Sequence, residues 1–168
     1  MKTIFLLRHA KSSWDDASLA DFDRPLNERG INTAPFMGEV MARRGYAPSV
    51  VVSSPAVRAA RTATLVKDAS GFNAEIRFDD RVYEASPNTL RQAVSELDDS
   101  FGSAMVVGHN PGMEGFIRYL TGDLEPMPTA ALAVIELNID SWSEINSNTG
   151  KLAEIIRPKD EMKSLGAT

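Results

Sequence analysis

The chain has 168 residues, the usual length of one domain, and its 43% apolar and 24% charged residues exclude a largely disordered protein. Its formal net charge of −5 argues against an extended nucleic-acid-binding surface. Because the chain has no cysteine, a disulfide scaffold, a thiolate metal site and a cysteine nucleophile are all excluded.

The first apolar run, residues 4–7, is followed by Arg8 and is too short for a signal peptide. No stretch approaches the roughly 20 apolar residues that span a bilayer. We therefore expect a cytoplasmic protein that binds neither membranes nor nucleic acid.

Short apolar runs alternate with longer amphipathic segments over the first 120 residues. The apolar runs predict four buried strands, at residues 4–7, 50–52, 75–78 and 104–107. The segments between and after them predict four helices, at about residues 27–44, 55–70, 87–97 and 112–120. Strands separated by helices at this spacing indicate crossover units and a mostly parallel sheet that is covered on both faces.

Particular residues predict where these helices begin and end. Asn27 is a predicted N-cap and Gly45 a predicted stop for the first helix, and Pro35 inside it predicts a kink or a restart. Ser54 is a predicted N-cap for the second helix, with Pro55 at its first position.

The pattern changes after Gly122. Residues 130–137 and 151–156 predict two strands that pair as an antiparallel extension of the sheet. The predicted fold is an α/β three-layer α/β/α sandwich with a mostly parallel sheet. We expect one domain over residues 1–158 and a polar, frayed tail over residues 159–168.

Unusual polar residues follow the four buried strands. They are Arg8 and His9 after the first, Ser54 and Arg58 after the second, Glu84 after the third and His109 after the fourth. Ligands of open α/β sheets bind in the crevice beyond the carboxyl ends of the strands. We therefore expect these side chains to converge, although they lie up to about a hundred positions apart in the chain.

Two other interpretations compete with a catalytic site. A single histidine at a strand end is more often structural, but both histidines of this chain occupy such positions. Two imidazoles and Glu84 could also ligate zinc. The guanidinium groups of Arg8 and Arg58 would repel a divalent cation and attract an anion, so we expect no metal and no cofactor.

A phosphoryl group is the anion that best fits these residues. Arginine pairs offer bidentate hydrogen bonds to phosphate oxygens, and helix starts add oriented N–H groups. An imidazole with a free lone pair directed at phosphorus could act as a nucleophile, while the arginines neutralise the charge on the transferred group.

Four segments of the chain, in order, resemble the histidine phosphatase superfamily, also called the phosphoglycerate-mutase-like group, and more narrowly its SixA-type phosphohistidine phosphatases. The segments are Leu7-Arg8-His9-Ala10, Asp23-Arg24-Pro25-Leu26-Asn27-Glu28-Arg29-Gly30, Ser53-Ser54-Pro55 with Arg58-Ala59-Ala60-Arg61-Thr62-Ala63, and Val107-Gly108-His109-Asn110-Pro111-Gly112. The resemblance covers residues 4 to about 120. Superfamily members commonly have glycine where this chain has Ala10, and alanine favours the SixA-type branch.

The resemblance implies a role for each of the main residues. His9 is the phosphoryl-accepting nucleophile, Arg8 and Arg58 form the clamp, and His109 is the second pocket histidine that stabilises the transition state. It also implies a proton-donating carboxylate in the region of Glu84, and a surface carboxylate is the alternative for this residue.

Three further residues are predicted to bind the phosphate or the substrate. They are Ser12, Ser54 and Asn110, and Ser54 is equally well explained as a helix cap. An unprotonated His9 and a protonated His109 together predict a bell-shaped pH profile.

The leading function is a phosphohistidine phosphatase that acts through a phosphorylated His9. Only 25 positions separate Glu84 from His109 (109 − 84), so we expect an open pocket that admits a phosphorylated side chain of another protein. Two alternatives stay open: a general small-molecule phosphomonoesterase, and a non-catalytic module that binds phosphate or phosphoprotein.

Overall fold

The computed structural model describes residues 1–166, and within this range six strands form one sheet. The strands are β1 (Lys2–Arg8), β2 (Val50–Ser53), β3 (Glu75–Phe78), β4 (Ser103–Gly108), β5 (Leu132–Leu137) and β6 (Gly150–Ile156). Their order across the sheet is β3-β2-β4-β1-β5-β6. The first four are mutually parallel, β5 is antiparallel to β1, and β6 is antiparallel to β5. This arrangement confirms the mostly parallel sheet and its antiparallel C-terminal extension.

Helices cover both faces of the sheet. They are α1 (Glu28–Arg43), α2 (Val57–Ser70), α3 (Pro87–Ser95), α4 (Gly112–Thr121) and α5 (Pro158–Gly166). The helices α1 and α2 share one apolar cluster with Leu7, whereas α3 and α4 share the other with Leu6. Successive residues of β1 therefore face opposite layers, as expected for a strand buried on both sides. The three-layer sandwich is confirmed.

The first helix begins where the sequence predicts. The Asn27 side chain accepts a hydrogen bond from the Gly30 N–H at 2.8 Å, and Gly45 follows the helix with a left-handed φ of 74°. The predicted restart at Pro35 is absent, since α1 continues to Arg43. Proline removes one hydrogen bond from a helix, and the buried residues that follow, such as Met37, keep the helix packed on the sheet.

The second helix begins later than predicted. It starts at Val57 rather than at Pro55, and Ser54 is not its N-cap. The reason lies in the fourth strand, because the N–H of Ser54 donates to the Val107 carbonyl at 3.0 Å. This bond extends the pairing of β2 by one residue and keeps Ser54 at the strand end.

The C-terminal segment differs from the predicted frayed tail. Residues 158–166 form α5, and Nη2 of Arg44 donates to the Glu161 carboxylate at 2.9 Å. The tail prediction also covered residues 167 and 168, which lie outside the described residues. No helix within residues 1–166 has the length and apolar character needed to cross a membrane.

Candidate active site

His9 lies directly after β1, where hydrogen bonds join the strand end to its neighbours. Its N–H donates to the Gly108 carbonyl at 3.0 Å. The next N–H, of Ala10, donates to Oγ1 of Thr62 at 3.0 Å, and that hydroxyl donates to the Arg58 carbonyl at 2.7 Å. Thr62 therefore fixes the end of β1 against the first turn of α2, and the sequence did not predict this role.

The ring of His9 is buried and has a defined tautomer. Nδ1 lies 2.7 Å from the carbonyl oxygen of Ala10. Because a carbonyl oxygen only accepts hydrogen bonds, Nδ1 carries the proton. The lone pair of the neutral ring is then on Nε2, which is the atom available for nucleophilic attack.

The second histidine lies beside the first. The ring centroids of His9 and His109 are 5.0 Å apart, and Nε2 of His109 is 2.8 Å from Oγ of Ser54. This hydroxyl oxygen also accepts from the Ala56 N–H at 3.2 Å. Its own proton is then free to bond Nε2 of His109, which leaves Nδ1 of that ring as the N–H.

Burial and neighbouring charges lower the pKa of both histidines. Burial, with nearby Arg58 and Arg8, lowers the pKa of His9 to about 4. Burial, with nearby His9 and Arg58, lowers the pKa of His109 to about 3. Both pKa values favour neutral rings near pH 7 in the free protein, and the protonation of His109 during catalysis stays a prediction. The physical reason is that burial disfavours the charged form and the arginines add repulsion.

Arg8 is held by a backbone carbonyl of the segment that precedes β5. Its Nη1 donates to the Met127 carbonyl at 2.9 Å. Nδ2 of Asn110 donates to the same carbonyl at 3.0 Å and also to the Glu114 carboxylate, which accepts from the Met127 N–H at 3.1 Å. The amide of Asn110 thus fastens the segment that positions Arg8, and its predicted contact with phosphate stays a prediction.

Arg58 is held by Asp21, a residue that no sequence motif indicated as part of the site. Nη1 of Arg58 donates to the Asp21 carbonyl at 2.6 Å, and Nη2 donates to its carboxylate at 2.9 Å. The same carboxylate accepts from the Tyr83 hydroxyl at 2.6 Å and from Nε of Arg24 at 3.2 Å. These bonds lower the pKa of Asp21 to about 2, so it is ionised at neutral pH.

Only part of the Asp21 network is visible in the sequence. Asp21 precedes Arg24 by three positions, a spacing that indicates a local pair. Its bond to Arg58 spans 37 positions, and the sequence carries no signal for it.

Three buried nitrogen atoms within residues 1–166 have no hydrogen-bond partner. They are Nε of Arg8, Nε of Arg58 and Nδ1 of His109. All three belong to residues that surround His9, and unsatisfied buried donors are costly unless a ligand or water pairs with them. They show that buried polar groups concentrate around His9.

Glu84 lies at the edge of this group. It is exposed, and it lines a cavity of about 690 Å³ together with His109 and Asn110. Its backbone has a φ of 53°, which non-glycine residues uncommonly adopt. The structure therefore places Glu84 on the same cavity as the second histidine, and its role as a proton donor stays a prediction.

Ser12 contacts an arginine of the loop between β1 and α1. Its Oγ accepts from Nη1 of Arg24 at 2.8 Å, and the Arg24 guanidinium stacks on the exposed Trp14 at 3.5 Å from the ring centroid. Ser12 thus supports the loop that carries Asp21, and its contact with phosphate stays a prediction.

Comparison with known families agrees with this geometry. The model of the histidine phosphatase superfamily (branch 1) matches residues 4–106, which is more than half of the chain. The chain therefore belongs to the histidine phosphatase superfamily and is a phosphatase of that class. An uncharacterised chloroplast protein of Arabidopsis thaliana is 29% identical over 94% of this chain and 78% of its own length.

Solved structures narrow the assignment to the SixA type. A candidate phosphohistidine phosphatase SixA of Agrobacterium tumefaciens has 29% identity and a TM-score of 0.80, over 94% of this chain and 98% of that one. A protein histidine phosphatase SixA complexed with tungstate has the same fold, with 22% identity and a TM-score of 0.80 over 95% of this chain and 99% of that one. The SixA-type resemblance of the sequence is thus confirmed.

Proposed function

We propose that this protein hydrolyses phosphohistidine through a phosphorylated His9 intermediate, without a metal or cofactor. The observation that carries the proposal is the environment of His9. Its Nδ1 is committed to the Ala10 carbonyl at 2.7 Å, and its ring lies 5.0 Å from His109. Arg8 and Arg58 both lie close enough to lower its pKa.

The first step transfers the phosphoryl group to the enzyme. The lone pair on Nε2 of His9 forms a bond to phosphorus while the bond from phosphorus to the substrate nitrogen breaks. The electron pair of that bond stays on the substrate imidazole, which takes up a proton from solvent. The side chains of Arg8, Arg58 and His109 donate to the equatorial oxygens of the transition state.

The second step regenerates the enzyme. A water oxygen forms a bond to phosphorus as the bond to Nε2 of His9 breaks, and the lone pair returns to Nε2. One proton of the water passes to solvent, and the other leaves on the hydrogen phosphate product. A bound phosphate dianion raises the pKa of His109 above its low value in the free protein, since an opposite charge favours the protonated ring.

The role of Glu84 depends on the leaving group. The leaving group of an oxygen ester is an alkoxide, which needs a proton. Glu84 lines the same cavity as His109. A phosphohistidine leaves through nitrogen, which is expelled more readily. We therefore propose that Glu84 assists ester hydrolysis and is dispensable for phosphohistidine.

A comparison of substrates tests the proposal. Turnover is measured on a phosphohistidine peptide and on several small phosphomonoesters, with and without EDTA. We expect the highest kcat/KM on the peptide and no loss with EDTA. A higher kcat/KM on a small ester would establish the general phosphomonoesterase instead, and tight phosphate binding without turnover would establish the binding module.

A further inference from the structure

A basic cavity lies beside the candidate active site and is not part of it. Its volume is about 290 Å³, and the exposed side chains of Lys11, Arg29 and Lys159 line it. No acidic residue is among its lining residues within 1–166, and neither are Arg8, His9, Arg58 or His109. The cavity therefore concentrates positive charge near the segment that follows β1.

These three cations differ from other cations in the same region. The guanidinium of Arg44 pairs with Glu161, and that of Arg157 pairs with Glu125. In the part of the chain that the structure describes, the side chains of Lys11, Arg29 and Lys159 have no hydrogen bond or salt bridge. Lys11 and Arg29 also border a second cavity that contains Asp15 and Glu28. However, none of the three cations is in a direct ion pair within residues 1–166, so they form an unpaired basic surface in a chain with a net charge of −5.

The walls of the cavity are fixed to the strand end that carries His9. Lys11 follows His9 by two positions, and α1 packs on its backbone. A Cβ atom at Gly30 would lie 2.2 Å from the Lys11 carbonyl oxygen, so only glycine permits this close approach. The opposite wall contains Thr129, which precedes Ala130, and the Ala130 N–H donates to the His9 carbonyl at 3.0 Å.

We propose that Lys11, Arg29 and Lys159 form a docking surface for carboxylates that flank the phosphorylated residue of a partner protein. The inference rests on the proposed function, because it assigns the partner of the same site. A ligand that reaches both His9 and this cavity must carry its phosphoryl group and its other negative charges on separate groups. An acidic segment of a phosphorylated protein does so, and the three cations complement it.

A binding measurement tests the docking surface independently of turnover. Two unphosphorylated peptides are titrated into ¹⁵N-labelled protein, one with glutamates flanking a central histidine and one with glutamines in their place. We expect the amide signals of Lys11, Arg29 and Lys159 to shift with the glutamate peptide at low salt and to move little with the glutamine peptide. Equal shifts with both peptides, or no shift at these residues, would overturn the proposal.

A kinetic measurement connects the surface to catalysis. The same peptides, phosphorylated on histidine, are compared in the wild type, in Arg29→Gln/Lys159→Gln and in the control Arg43→Gln/Lys151→Gln. The control removes the same charge, and Arg43 lies about 21 Å along α1 from Arg29 at the usual rise per residue. We expect the wild type and the control to prefer the glutamate peptide about fivefold, and the first variant to lose that preference.

The outcomes separate docking from the proposed function. Shifts that are specific to the glutamate peptide, without hydrolysis of either phosphohistidine peptide, would support docking and contradict the proposed activity. Hydrolysis of both peptides at equal rates by all three proteins would support the proposed activity and contradict the docking surface. A last outcome concerns a small phosphoester that carries a carboxylate besides its phosphoryl group. If Arg29→Gln/Lys159→Gln also raises the KM of this compound, the partner is a metabolite and the protein-docking proposal is wrong.

Discussion

The two arginines beside His9 are held by different parts of the molecule. Arg8 donates to the Met127 carbonyl, a backbone group of the segment that leads into β5. Arg58 donates through both of its terminal nitrogens to Asp21. Asp21 lies in a 3-10 turn of the loop between β1 and α1, and its side chain is 43% exposed. The first arginine is thus fixed by the sheet region and the second by a surface loop.

This difference identifies the arginine that is bonded directly to a replaceable side chain. A backbone carbonyl cannot be removed by substitution and does not titrate. The Asp21 carboxylate can be changed, and it links Arg58 to Tyr83 and Arg24. We therefore expect the Arg58 side of the site to be the more sensitive one to distant substitutions.

The largest effect is expected at His9, which lies near both Arg8 and Arg58. The variant His9→Ala should lose at least about a thousandfold in turnover, because the nucleophile is absent. It should retain measurable affinity for tungstate in calorimetry, since Arg8, Arg58 and His109 remain. Near-normal turnover of His9→Ala would contradict the assigned nucleophile.

Removal of Arg58 should weaken both binding and turnover. We expect Arg58→Ala to lose about 10²- to 10³-fold in kcat/KM, the usual loss on removal of a group that stabilises the transition state, and to bind tungstate more weakly. Arg61→Ala is the matched control, because Arg61 is exposed and lies one turn further along α2. Similar losses in both variants would show that general electrostatics, and not the clamp, is responsible.

The substitution Asp21→Asn tests directly how much the site depends on the loop that holds Arg58. It keeps the size of the side chain but removes the charge that orients Arg58, so we expect a loss of about tenfold in kcat/KM, of the order of a charge-assisted hydrogen bond. The shape of the pH profile above pH 5 should not change, because the pKa of Asp21 is about 2. Asp23→Asn, in the same turn, is the control and should be near wild type.

The depressed histidine pKa values predict a pH dependence of stability. An unfolded histidine titrates near 6.5, whereas His9 and His109 titrate at about 4 and about 3 in the folded protein. The unfolded chain then binds more protons below pH 6.5, so the free energy of unfolding decreases as the pH falls from about 6.5 towards 4.

Urea unfolding at pH 7.5 and pH 4.5 measures this decrease. The variant His109→Asn removes one of the two groups and should show a smaller decrease than the wild type. An equal decrease in both proteins would show that His109 does not contribute to it.

On a phosphohistidine substrate, the smallest effect is expected for Glu84→Gln. Turnover of a phosphohistidine peptide should stay within about twofold of the wild type, while an oxygen ester with a poor leaving group should slow by about 10²-fold for lack of a proton donor. Unimpaired rates on both substrates would remove Glu84 from the mechanism.

Much of the architecture could be predicted from the sequence, because local signals determine it. Continuous apolar runs produced buried strands, and Asn27 and Gly45 delimit α1 as predicted. The convergence of His9, Arg58 and His109 also followed, since the carboxyl ends of parallel strands meet at one edge.

The rest depends on tertiary contacts that have no local signal. Ser54 looked like a helix cap, but it pairs with His109 across 55 positions. Asp21 and Thr62 act through partners on other elements. The charge state of His109 depends on burial and on neighbouring arginines, which only the folded chain brings together.

Trapping of the covalent intermediate tests the central role of His9 most directly. Enzyme is mixed with a ³²P-labelled phosphohistidine peptide, quenched within milliseconds and mapped by mass spectrometry. We predict an acid-labile, alkali-stable phosphoryl group on His9 that disappears at the rate of turnover. Label on any other residue, or turnover with no labelled enzyme at any time, would contradict the account.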